Sequence, residues 1–170
     1  CSSGGNRFDL GMLCFTPQIW ASDDTDPIER LKIQEGLSYF YPLSSIGAHV
    51  SESPHQQTLR TTPLETRFNV ASFGLLGYEM DLHNLNQKEE VEIQNQIQWY
   101  KAHRAVMQFG KFYRFKHSAA GGVQFQVING DKTLGVLGNF QVLAQASPSF
   151  DTIRLKGLDE QGLYQVKTVK

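Results

Sequence analysis

The chain has 170 residues, with 16 Lys and Arg against 17 Asp and Glu and a formal net charge of -1. That balance argues against nucleic acid as a partner, because phosphate binding needs a basic face. Hydrophobic residues make up 40%, enough for a core, and no apolar run approaches the ~20 residues that would span a bilayer.

In chain order, residues 1–15 are Gly- and Ser-rich and then turn apolar in "RFDLGMLCF", which reads as a loop followed by a short element. Gln18 to Ser22 is a brief apolar run ending in polar residues, the pattern of a short buried strand. A helix starts behind it. Asp26 suits the N-cap, Pro27 the first helical position and Glu29 the third. This helix is expected to run to about Tyr39 and to stop before Pro42, since a residue preceding proline avoids helical angles.

"LSSIGAHVSESP" predicts a second strand that empties into a loop. "TPLE" repeats the helix-start pattern, with Thr62 as cap and Pro63 first; Leu64, Phe68, Ala71, Leu75 and Tyr78 then follow at helical spacing. A third helix is expected from about Gln87 to Gln108, its apolar side including Val91, Ile97, Tyr100 and Met107. After Gly110 the texture changes. "KFYRFKH", "GVQFQVI", "LGVLGNFQVLAQA" and "TIRLKGL" read as strands of an antiparallel sheet, with a hairpin turn at "INGDK". The chain thus divides near residue 111 into an α/β part and an all-β part. In a (β/α)8 barrel, strand-to-helix loops at the carboxyl ends of the strands build the active site. Two or three repeats would leave a sheet edge unpaired, so the chain reads as a piece of something larger. Its opening on Cys1 rather than Met supports the same expectation.

Three carboxylates crowd the first helix start: Asp23, Asp24 and Asp26. Asp26, directly before Pro27, reads as the cap. Asp24 reads as a solvent-facing acid or a partner of the helix dipole. Asp23 follows the apolar strand behind Trp20. It is either a surface acid or a general acid, whose pKa desolvation beside an aromatic would raise. Cys1, Ser2, Gly4 and Gly5 form a small turn that is either an ordinary loop or a backbone that a ligand can approach closely. His49, at the end of the second strand, suits a supporting hydrogen bond as well as catalysis. The two cysteines and five histidines show no metal-ligand spacing. There is no phosphate loop and no GxSxG elbow, so no cofactor and no metal is expected.

"CSSGGNRFDLGML", "PQIWASDDTDPIERLKIQEG", "YPLSSIGAHVS" and "TPLETRFNVASFGLLGYE" resemble consecutive blocks of the bacterial α-galactosidases of glycoside hydrolase family 36, and the likeness runs in order to about Phe115. The resemblance implies a fold and a chemistry. Residues 1–110 would be the C-terminal portion of a catalytic (β/α)8 TIM barrel. Residues 111–170 would begin an antiparallel β-sandwich domain, incomplete here. The family removes terminal α-galactosyl residues from melibiose- and raffinose-type sugars with retention. Its general acid/base is the first Asp of a W-x-S-D segment, which falls on Asp23. The tryptophan before it, falling on Trp20, lines the sugar site, and a cysteine and a glycine that help bind galactose fall on Cys1 and Gly4.

The chain departs from the family's C-S-G-G-G-G-R-F-D pattern at Ser3 and Asn6. It also contains no K-x-D-x-N-R segment, where the family carries its nucleophilic aspartate. The chain alone is therefore expected to be inactive. Two other readings stand beside this one: a raffinose-type galactosyl transferase of the same family, and a carbohydrate-binding or assembly module without a catalytic half. The resemblance further implies an α-galactoside as the partner molecule, a homotetramer for the full-length protein, and, with the lack of paired cysteines, a cytoplasmic location.

Overall fold

The computed structural model describes residues 9–115, 122–144, 146–147 and 152–168. The chain falls into two compact units, residues 1–109 and 110–170. The first is α/β. A 3-10 helix at Leu10–Cys14 leads into the segment around Ile19, and α1 covers Pro27–Leu37. Strand β1 is Gly47–Ser51, α2 is Leu64–Ala71, β2 is Leu75–Glu79 and α3 is Gln87–Phe109.

Strands β1 and β2 pair in parallel, with Gly47 opposite Leu75, His49 opposite Gly77 and Ser51 opposite Glu79. Side chains alternate between the two faces of such a ladder. Ile46, Ala48 and Val50 are completely buried, and α2 packs on β1 and against α1. Leu31, Leu64, Phe68, Val70 and Phe73 complete this core. Each fully buried Ile, Val, Leu or Phe side chain there contributes about 1.5–3 kcal/mol. The other parity of β1, namely Gly47, His49 and Ser51, carries the polar chemistry.

Helix α1 begins as its sequence predicts. The Asp26 carboxylate accepts from the N–H groups of Ile28 (2.8 Å) and Glu29 (3.3 Å), and Pro27 takes the first position. Four expectations for this unit need correction. The strand expected over Gln18–Ser22 is a single parallel bridge between Ile19 and Ile46. Ile19 N–H donates to Ser45 and Gly47 N–H to Ile19, but the Gly47 carbonyl, the next acceptor along the ladder, takes the Arg30 guanidinium instead. The cap at Thr62 is not formed: α2 starts one residue later, behind Pro63, with no side-chain cap. Leu75 and Tyr78 belong to β2, not to α2. Leu75 N–H donates to the Ile46 carbonyl at 2.7 Å, so the backbone leaves the helix to join the sheet. Helix α3 lies where its pattern places it, but Val91 is exposed, and Ile93, Gln96, Tyr100, Val106 and Met107 form its buried side.

In the second unit β3 (Lys111–Arg114), β4 (Val123–Ile128) and β5 (Gly135–Phe140) form an antiparallel sheet in the order β3-β4-β5. Phe125 on β4 meets Phe112 and Phe140 on its neighbours, with ring centroids 5.4 and 6.1 Å apart. "INGDK" turns β4 into β5: Lys132 N–H donates to the Asn129 carbonyl at 3.1 Å, and Lys132 takes a φ of 59°. The strand expected in "TIRLKGL" is absent from residues 152–158. The backbone of Lys156 is held instead by the buried Gln126 side chain, which donates to its carbonyl (2.8 Å) and accepts from its N–H (3.0 Å).

Candidate functional site

The stretch between Ile19 and α1 sorts its three aspartates by burial and bonding. Asp26 is completely buried. Besides capping α1 it accepts from Thr58 Oγ1 at 2.7 Å and pairs with Arg60. Burial alone would raise its carboxyl, but the bonds from Thr58, Ile28 and Glu29 and the charge of Arg60 outweigh burial and hold it below the ordinary 3.8. Asp24 is half-buried, and its Oδ1 accepts from Asp26 N–H at 3.1 Å. Asp23 alone is exposed. Trp20 Nε1–H donates to its Oδ1 at 2.9 Å, and Oδ2 is unengaged among the described residues. The structure thus brings Trp20 and Asp23 together. The desolvation expected of Asp23 beside the indole is not supplied by the described residues. Cys1 and Gly4 lie outside the described residues.

Trp20 is itself held. The guanidinium carbon of Arg30 sits 5.4 Å from the indole centroid. Arg30 is buried, donating to the Gly47 carbonyl and, at 3.5 Å, to the Ser22 carbonyl. Burial pushes its guanidinium down to about 10, against the opposing pull of Asp24 and Glu79, so it stays charged at neutral pH. The His49 ring lies against the indole, with centroids 4.4 Å apart and planes at 45°. His49 Nδ1 is 3.1 Å from Glu79 Oε2.

A second polar cluster backs the aspartates. His55 is buried, and the N–H groups of Gln57 and Thr58 point at its Nδ1 from 3.4 and 3.3 Å. Nδ1 therefore accepts, which leaves Nε2–H to donate to Thr25 Oγ1 at 3.1 Å. Ser51 Oγ donates to the Thr25 carbonyl at 3.2 Å, tying the loop before α1 to the end of β1. A recess of about 240 Å³ opens at the carboxyl ends of β1 and β2, lined by Thr25, Ser51, Glu52, His55 and Glu79 among others. Sequence reading missed the roles of Arg30, His55, Arg60 and Glu79. Each makes a contact 17 to 34 residues away in the chain, which no local pattern marks. Among the described residues no group of three or more His, Cys, Asp or Glu side chains could hold a metal ion, and no helix is long and apolar enough to cross a membrane.

Comparison with known proteins gives this arrangement its context. The family model described as Melibiase matches residues 1–110, and that of the glycosyl hydrolase family 36 C-terminal domain matches residues 123–170. An alpha-galactosidase of Lactobacillus acidophilus is 46% identical over 97% of this chain and 22% of its own length. The alpha-galactosidase AgaA of Geobacillus stearothermophilus is 42% identical over 98% of this chain and 23% of its own. The crystal structure of AgaA superposes with a TM-score of 0.88 at 44% identity, covering 94% of this chain and 22% of that one. Further crystal structures hold AgaA variants in complex with raffinose and with stachyose. The chain spans less than a quarter of the length of these relatives, and within that span its sequence, its family models and its backbone agree: it belongs to the melibiase family of glycoside hydrolases, family 36.

Proposed function

We propose that this chain is part of a retaining α-galactosidase, contributing the general acid/base Asp23 to an active site completed by residues outside it. Residues 1–110 then form the C-terminal portion of a (β/α)8 barrel, and residues 111–170 begin a C-terminal β-sandwich. The observation that carries the reading is the Trp20–Asp23 pair. The indole N–H fixes one carboxylate oxygen and leaves the other exposed, directly after the strand-like bridge at Ile19. The substrate class follows from the relatives, which are named alpha-galactosidases and include one crystallised with raffinose and stachyose.

Retention needs two carboxyl groups about 5–5.5 Å apart, one attacking the anomeric carbon and the other serving the leaving group. Asp23 fills the second role. Its Oδ2 delivers a proton to the glycosidic oxygen as the bond to the galactosyl carbon breaks, then takes a proton from the water that releases the sugar. Trp20 steadies the carboxylate and offers its indole face to the galactose, and Cys1 and Gly4 contact the same sugar. The attacking carboxylate comes from a segment not contained in this chain.

The test uses the full-length enzyme carrying Asp23→Ala. The kcat/KM for raffinose should fall by the ~10²–10⁴-fold typical of a lost general acid. An activated aryl α-galactoside, whose leaving group needs no proton, should suffer far less in kcat/KM. With that substrate azide should raise turnover and yield the α-galactosyl azide. Near wild-type turnover of raffinose would move the role to another carboxylate.

A further inference from the structure

We infer that His49, oriented by Glu79, is a positioning residue for the acid/base: its ring fixes the indole of Trp20, and the indole in turn fixes the carboxylate of Asp23. The inference rests on the reading of Asp23 given above and extends it to Glu79, which no sequence pattern marks, and to His49, which the sequence leaves open between a supporting and a catalytic role.

The contacts form one continuous line. Glu79 Oε2 meets His49 Nδ1 at 3.1 Å, the imidazole meets the indole at 4.4 Å between centroids, and Trp20 Nε1 meets Asp23 Oδ1 at 2.9 Å. The sheet leaves room for both rings. A Cβ on Gly77, opposite His49 in the ladder, would lie 2.5 Å from His49 Cδ2. A Cβ on Gly47 would lie 3.0 Å from Trp20 Cε3 and 2.6 Å from Gln18 Nε2. A side chain at Gly77 would therefore displace the His49 ring, and one at Gly47 would displace the Gln18 amide and press on the edge of the indole. Each ring thus packs beside a glycine, Trp20 at Gly47 and His49 at Gly77, with the two planes tilted by 45°.

The charged groups around the line are also fixed. Arg30 contacts the same indole and feels the charges of Asp24 and Glu79. Glu79 is half-exposed, and among the described residues His49 is the only hydrogen-bonded partner of its carboxylate. Asp23 is exposed, and among the described residues its carboxylate is tethered only through Trp20. An exposed carboxylate with a single tether loses its orientation when the tether moves, and a catalytic group misplaced by about 1 Å can cost ~10²-fold in rate.

The discriminating experiment compares two substrates on the full-length enzyme, raffinose and 2,4-dinitrophenyl α-galactoside, through kcat/KM. With His49→Ala, raffinose should lose about 10- to 10²-fold, the scale of a misplaced catalytic group, and the dinitrophenyl substrate much less. His49→Phe keeps a ring against the indole and should recover most of the raffinose loss. Equal losses on both substrates, no loss on either, or His49→Phe as impaired as His49→Ala would overturn the inference. Asp23→Ala measured alongside separates the two ideas. If it shows the leaving-group-dependent loss and His49→Ala does not, only the positioning role fails. If Asp23→Ala leaves raffinose turnover intact, the acid/base reading itself fails.

Discussion

The two faces of β1 share five residues and have almost nothing else in common. On one, Ala48 and Val50, with Ile46 just before the strand, are wholly buried and apolar. On the other, Gly47, His49 and Ser51 make room for Trp20, contact it and bond to the loop before α1. The first face is where α2 packs, so its residues are chosen for volume and hydrophobicity. The second presents groups whose value lies in direction: a ring against a ring, a hydroxyl on a carbonyl. Because side chains alternate along a strand, stability and chemistry sit one residue apart without sharing a side chain. The comparison predicts that substitutions on the two sides fail in different measurements.

The largest effect on stability is expected on the helix side. Phe68 is buried and meets Trp99 edge-on at 5.9 Å. Phe68→Ala in the full-length enzyme should cost about 3–5 kcal/mol, the transfer and cavity terms together. The urea midpoint should drop, while the protein that remains folded keeps its kcat on raffinose. A fall in kcat ahead of unfolding would show that the two faces are coupled and would break the comparison.

Asp26 tests the boundary between the faces, because it is a carboxylate of the site's loop doing the work of a helix. Asp26→Ala removes the cap of α1, which costs ~1–2 kcal/mol. The pairing with Arg60 adds little, since Arg60 is more than one-third exposed and solvent screens it. The pH dependence has a definite sign. The folded carboxyl lies below its ordinary 3.8. Its stabilisation is therefore fully present above the unfolded value and is lost as pH falls through the folded one. Urea midpoints of the wild type and Asp26→Ala should differ at neutral pH and converge below about pH 4. A constant gap across that range would mean that the charge of Asp26 contributes nothing.

These same residues show what the sequence could disclose. The cap at Asp26 was legible because its signal, Asp-Pro-x-Glu, is contained within four residues and its partners are the next N–H groups. The hairpin at "INGDK" was legible for the same reason. Strand β2 was not, because Leu75 and Tyr78 continue the spacing of Phe68 and Ala71 by coincidence. Only the Ile46 carbonyl, 29 residues earlier, decides that the backbone leaves the helix there. "TIRLKGL" failed in the reverse sense: its alternation suits a strand, but a side chain at Gln126 holds the backbone groups of Lys156. At the site, the family resemblance pointed to Trp20 and Asp23, which the structure joins by a hydrogen bond. The groups that steady Trp20, at Arg30, His49 and Glu79, converge from three elements and carry no shared local pattern.

The smallest expected effect is the sharpest check on the second helix start, where the same sequence signal gives a different structure. "TPLE" has the cap, the proline and the acid in the same order as "DPIE", yet α2 begins at Leu64 with Pro63 in the flanking position and no side-chain cap. The first helical bond runs from Arg67 N–H to the Pro63 carbonyl at 3.1 Å, so the helix starts behind Pro63 and the Thr62 hydroxyl is left outside it. The backbone N–H of Thr62 donates to Ser53 Oγ at 3.0 Å, a bond that survives truncation of the side chain. Thr62→Ala should therefore shift the unfolding free energy by no more than about 0.5 kcal/mol, as for an ordinary surface change. A loss near the ~1 kcal/mol of a genuine cap would mean that Thr62 closes the helix in solution and that α2 starts at Pro63 after all.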